Sequence, residues 1–101
     1  MSAKITRTSG NVFKDLGFSH AEAAHLLIRS ELMTRLRKVI EARGLKQAEA
    51  AKMFRVSQPR VSALMKGRID LFSVDTLIDM LDRAGFTVRV ELKKSTPRKV
   101  A

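Results

Sequence analysis

The stretch LKQAEAAKMFRVSQPRVSALMKG, residues 45–67, decides the fold, because its pattern predicts two short helices joined by a tight turn. The first covers about Gln47 to Phe54, with Ala50, Ala51 and Phe54 as its inward face; the two alanines permit a neighbouring helix to approach closely. Ser57, Gln58 and Pro59 mark a new start, since proline is tolerated at the first helical position, where its missing amide hydrogen would be unpaired anyway. The residue before a proline avoids helical angles, which makes Gln58 itself a candidate cap. The second helix then runs to about Lys66 and stops at Gly67. Val61 and Leu64, three apart, face the core and leave Arg60, Ser62, Ala63 and Lys66 on other faces.

Upstream, Ser19 and Glu22 have capping-box spacing, in which hydroxyl and carboxylate satisfy the unpaired amides of a helix start. An apolar stripe of Ala24, Leu27, Ile28, Leu32, Leu36, Val39 and Ile40 follows, ending at Gly44, a left-handed stop. This reads as one long helix, or as two with a break near Ser30, with Glu31, Arg35 and Lys38 outside. NVFKDLGF, residues 11–18, is too apolar for a solvated linker, and its Val12, Phe13, Leu16 and Phe18 must dock on the protein's own body or on a partner. Downstream, Ser73 caps a helix to about Ala84 with Val74, Leu77, Ile78 and Leu81 inward and Gly85 beyond its end. FTVRVELKK, residues 86–94, alternates Phe86, Val88, Val90 and Leu92 against polar residues, which is strand period. One strand alone is unstable, and pairing with the same strand of another copy is the simplest solution. The organisation expected is a flexible tail over residues 1–10, one domain over 11–94 and a loose basic tail over 95–101.

The 101 residues support one core, and 45% hydrophobic with 30% charged residues is ordinary for a folded domain. Cysteine is absent, which removes disulfides, thiolate chemistry and cysteine-ligated zinc. With no apolar run of about 18 residues and no secretory signal pattern, a cytoplasmic address without a membrane is the default. A formal charge of +10 favours a polyanionic partner. Placement sharpens this: residues 29–68 hold eleven Lys or Arg against three Glu, whereas residues 70–83 hold four Asp against Arg83 alone. One face is built for an anion and another is not.

The 45–67 stretch resembles the helix-turn-helix of the phage-repressor-like, or XRE, family. The likeness rests on Gln47, Ala50 and Ala51, Val56 in the turn, Ser57 and Gln58, then Val61, Leu64 and Gly67. NVFKDLGF before the long helix and GRIDLFSVDTLIDMLDRAGFTVRVELKK after the motif look like HigA-type antitoxins of toxin–antitoxin operons. The resemblance implies an all-α, lambda-repressor-like bundle of four to five helices, here with a C-terminal β-strand. It also implies a homodimer on an inverted repeat of double-stranded DNA, with the second helix of the motif in the major groove. Gln58 and Arg60 would read adenine and guanine edges, Pro59 and Ala63 would touch thymine methyls, and Lys46, Gln47, Arg55, Ser57, Ser62, Lys66 and Arg68 would hold phosphates. The expected dimer interface is Phe86, Val88, Val90 and Leu92, with the long helix as second candidate. A RelE-like or HigB-like ribonuclease toxin would be the further partner. Two positions depart from the family: Lys46 cannot accept a bond where serine or threonine often caps, and Arg55 replaces the usual turn glycine, a place that calls for positive φ.

Nothing suggests an enzyme or a cofactor. His20 and His25 are five apart and share no helix face, and no metal-ligand pattern accompanies them. Asp79 and Asp82 read as a solvated acidic face, and the five methionines as core filler. The competing readings are a module that neutralises a toxin without specific DNA binding, and a free-standing repressor with no toxin.

Overall fold

The computed structural model describes residue 17 and residues 19–94. NVFKDLGF, apart from Gly17, and both expected tails lie outside the described residues. Among the described residues four α-helices follow in order: α1 (His20–Ala42), α2 (Gln47–Phe54), α3 (Gln58–Met65) and α4 (Val74–Arg83), with a 3-10 turn (Ile69–Leu71) before α4. The first is unbroken at Ser30, where Thr34 donates its hydroxyl back to the Ser30 carbonyl at 2.9 Å.

Side chains set the helix starts. The Ser19 hydroxyl accepts from the Glu22 amide at 3.1 Å and the Glu22 carboxylate accepts from the Ser19 amide at 3.0 Å, completing the box. These bonds, the Ser19 amide first, hold the Glu22 carboxyl below its ordinary pKa. The box therefore stabilises the first turn of α1 above the usual glutamate range, and that contribution disappears as pH falls through the lowered value. Ser57, not Gln58, caps α3: its hydroxyl accepts from the Arg60 amide at 3.3 Å, and Gln58 is already helical. At α2 Lys46 has no oxygen to offer, and the Glu49 carboxylate instead accepts from the Lys46 amide at 2.8 Å. Half a capping box thus stands where serine would make a whole one.

The helix ends share one device. After α1 the Leu45 amide bonds the Ile40 carbonyl and the Gly44 amide that of Glu41; the same paired pattern recurs at Val56 and Arg55, at Arg68 and Gly67, and at Phe86 and Gly85. Each is a Schellman motif, which needs one residue at positive φ. Glycine fills that place after α1, α3 and α4, but after α2 it is Arg55, at φ 59°. Replacing Arg55 by glycine is expected to stabilise the fold by about 0.5–1 kcal/mol, the relief of left-handed strain being partly offset by the freer unfolded chain. Thermal unfolding checks this as a midpoint raised by a few degrees; an unchanged or lower one would mean the arginine makes a compensating contact.

The core lies where α1 crosses α4 and the α2–α3 pair. Leu32, Met33, Leu36, Val39 and Ile40 from α1 meet Leu77, Met80 and Leu81 from α4, Ala50, Ala51 and Phe54 from α2, and Val61 and Leu64 from α3, with Phe72 closing one end. Within the expected stripes, Ala24 is exposed and Ala23 buried, Val74 and Ile78 are half-buried, and Met80 is an unforeseen core residue.

The expected C-terminal strand is not present. Residues 86–94 carry no regular secondary structure, because a single chain offers no second strand for their backbone to pair with. The segment is nonetheless rooted: the Phe86 amide bonds the Leu81 carbonyl at 2.9 Å, the Arg43 guanidinium lies 5.7 Å from the Phe86 ring centre, and Val88 packs against the core. Beyond that root Val90 and Leu92 are 77% and 96% exposed.

Candidate nucleic-acid interface

The α2–α3 pair packs through Phe54, Val61 and Leu64, all fully buried. At about 100° per residue, the buried flank of α3 centred on Val61 and Leu64 leaves an outward face centred on Pro59, Ser62, Ala63 and Lys66. Pro59 and Lys66 are exposed, Ser62 and Ala63 half-buried. Gln58 and Arg60 lie on opposite shoulders of that face rather than side by side. Gln58 is exposed at the first turn, as a groove-reading side chain must be. Gln47 opens α2 with Lys46 before it, Arg55 sits at the tip of the connecting turn, and all three are exposed. The outward surface thus alternates polar side chains with cations and carries no acidic residue between Lys52 and Arg68.

Three expected site residues have structural duties. The Ser57 hydroxyl oxygen is engaged as the α3 cap, leaving its O–H as a donor. Arg68 makes an exposed ion pair with Asp70 at 3.5 Å, a contact typically worth under about 1 kcal/mol and readily exchanged for a stronger anion. Arg60 turns away from Gln58: its guanidinium donates to the Leu71 carbonyl and lies 5.4 Å from the Phe72 ring centre. To touch a base it must release both.

Among the described residues, Arg60 is one of four arginines that donate to backbone oxygens. Arg43 donates to the Ala84 carbonyl at 2.9 Å, Arg83 to that of Phe54 at 3.0 Å, and Arg29 to that of Ile69 at 3.4 Å. Ala84 and Phe54 close α4 and α2, where carbonyls lack helical partners and the dipole favours a cation. Part of the positive surplus therefore welds elements together. Arg37, which the sequence did not single out, sits beside the end of α3: a Cβ built on Gly67 would lie 3.4 Å from its Nη1. Its place next to buried Leu36 and one turn after Thr34 was the available signal.

His20 and His25 are exposed on the first turns of α1, and among the described residues no three His, Asp or Glu gather as a metal site would require. Among the same residues no helix is long and apolar enough to cross a membrane.

A family model described as a helix-turn-helix domain matches residues 12–93, a range that contains all the described helices. The chain belongs to the helix-turn-helix domain family. Its fold is similar to that of a solved protein described as a "Putative XRE Family Transcriptional Regulator", at 32% identity and a TM-score of 0.69, over 79% of this chain and 89% of the other. The XRE likeness visible in residues 45–67 thus extends to the arrangement of the bundle. No curated protein matches the chain significantly.

Proposed function

We propose that this protein is a DNA-binding transcriptional regulator that reads an inverted-repeat operator as a homodimer. The observation that carries the reading is the α2–α3 pair, whose outer helix presents Pro59, Ser62 and Ala63 with exposed Gln58 at their edge, ringed by Lys46, Arg55, Lys66 and Arg68. Gln58 offers the paired donor and acceptor that match an adenine edge, and Pro59 and Ala63 the apolar surface for a thymine methyl. Arg60 reads a guanine after exchanging the Leu71 carbonyl for base acceptors. Lys46, Gln47, Arg55, Ser57, Ser62, Lys66 and Arg68 fix the register on phosphates.

A homodimer supplies what an inverted repeat demands, since two recognition helices reach successive major grooves about 34 Å apart only when two protomers are joined. The rooted segment ending in exposed Val90 and Leu92 is the proposed join, each copy supplying the strand the other lacks. The likeness of the flanking segments to HigA-type antitoxins supports a role in a toxin–antitoxin operon, with a RelE-like or HigB-like ribonuclease as partner. Co-expression with the adjacent reading frame tests it: a small ribonuclease that co-purifies and loses activity supports the antitoxin, and its absence favours a free-standing repressor.

Readout is tested by titrating Gln58→Ala and Lys66→Ala against cognate and random duplexes over several salt concentrations. Gln58→Ala is expected to relax preference at one base pair per half-site by about 1–3 kcal/mol, whereas Lys66→Ala weakens all sequences alike and lowers the salt slope by about 1. Equal effects of both variants on both duplexes would remove the claim of specific readout.

A further inference from the structure

Of the described Lys and Arg residues, some bind backbone oxygens, some lie on the helix-turn-helix surface, and Arg35, Lys38, Arg89, Lys93 and Lys94 are exposed elsewhere; half-buried Arg37 fits none of these groups. Arg37 belongs to α1, outside the motif, yet its guanidinium lies against Gly67, at the turn where the recognition helix ends. It is neither buried nor fully exposed. Its orientation is set along α1: Nη2 donates to the Thr34 hydroxyl at 3.4 Å, and that hydroxyl donates to the Ser30 carbonyl at 2.9 Å. One of its five N–H donors is thereby used, and among the described residues it has no carboxylate partner.

Gly67 brings the backbone of this turn close to the guanidinium. Its φ of 74° meets the demand of the Schellman turn, and any other residue there would put a Cβ 3.4 Å from Nη1. On either side in sequence stand Lys66 and Arg68, both exposed. Two elements thus bring three cations around one turn, and the nearby acid, Asp70, pairs with Arg68 alone. The Ser62, Ala63 and Leu64 carbonyls at this end of α3 are bonded by the amides of Lys66, Arg68 and Gly67, so the guanidinium is not needed to satisfy them. A planar guanidinium fork beside two exposed cations suits a phosphodiester, whose two free oxygens accept a bidentate arginine.

We propose that Arg37 is a phosphate-binding residue, which with Lys66 and Arg68 clamps one backbone phosphate of duplex DNA at the C-terminal end of the recognition helix. This rests on the DNA-binding reading above, and assigns α1 a direct part in it.

The test uses the full chain and a random-sequence 20-base-pair duplex, titrated from low to moderate salt for the parent, Arg37→Gln, Arg37→Lys and Lys66→Gln, with a thermal melt of each. Arg37→Gln is expected to lower the slope of log K against log salt by about 0.9, one phosphate contact, and to weaken all sequences equally. Arg37→Lys should keep the slope but bind more weakly than the parent, because the bidentate fork is lost. A slope unchanged in Arg37→Lys and folded Arg37→Gln alike, but lowered in Lys66→Gln, overturns the proposal and leaves the DNA reading standing; a melting change without a slope change has the same meaning. A parent that binds no duplex at low salt overturns both.

Discussion

A chain carrying Val90→Asp and Leu92→Asp is expected to remain folded, to sediment as a monomer, and to bind an inverted repeat about 10²–10⁴-fold more weakly than the parent. Both side chains are largely in solvent within one protomer, at 77% and 96% exposure, so the charges disturb no intramolecular packing. Phe86 and Val88, which do pack on the bundle, are left in place. If residues 86–92 pair between copies, the same charges enter a buried, like-charged strand interface, and carboxylates there face each other across the pair. The large loss follows because joining two half-site readers converts the second binding event into an intramolecular one. Sedimentation at micromolar concentration, a thermal melt and a titration on a paired half-site duplex check the three parts separately. A dimer that persists would move the interface to α1.

Phe54→Ala is expected to cost about 3–5 kcal/mol, the usual loss for a buried aromatic replaced by a methyl group. Phe54 is fully buried at the end of α2, and its carbonyl is held by Arg83 at 3.0 Å. Its ring helps hold the recognition helix against the bundle, so the cavity opens beneath the part of the fold that must stay rigid to read a groove. Since domains of this size are stable by only about 5–15 kcal/mol, much of the native margin disappears. Urea unfolding followed by far-ultraviolet circular dichroism measures it; a loss under about 1 kcal/mol would show that Phe54 is not central to the core.

What the sequence made legible was local. The bounds of α2, the Ser19–Glu22 box, the stop at Gly44 and the left-handed Arg55 all follow from chemistry acting over a few residues, and each stands in the structure as expected. The Ser57 cap was decided by a neighbouring hydroxyl against a proline restriction that pointed to Gln58. Non-local features were hidden. Arg43 reaches Ala84 and Arg60 reaches Leu71 across the fold, and nothing in their neighbours along the chain separates such arginines from the solvated ones. The alternation of residues 86–92 was legible as a pattern, but a strand needs a partner that one chain does not contain. For the interface itself, the outward face of α3 could be drawn from helical periodicity, whereas the turn of Arg60 toward Phe72 and the approach of Arg37 to Gly67 depend on how α1 and α4 cross.

The central claim, that α3 reads DNA sequence, is tested most directly by repeated selection from a pool of duplexes with a randomised centre, using the full chain at physiological salt. One pseudo-palindrome is expected to be enriched, its half-sites separated by about one helical turn, roughly 10 base pairs, with Gln58→Ala altering preference at one symmetric position. A pool that stays random while binding remains salt-dependent would contradict the claim, and would leave a basic protein that binds DNA without reading it.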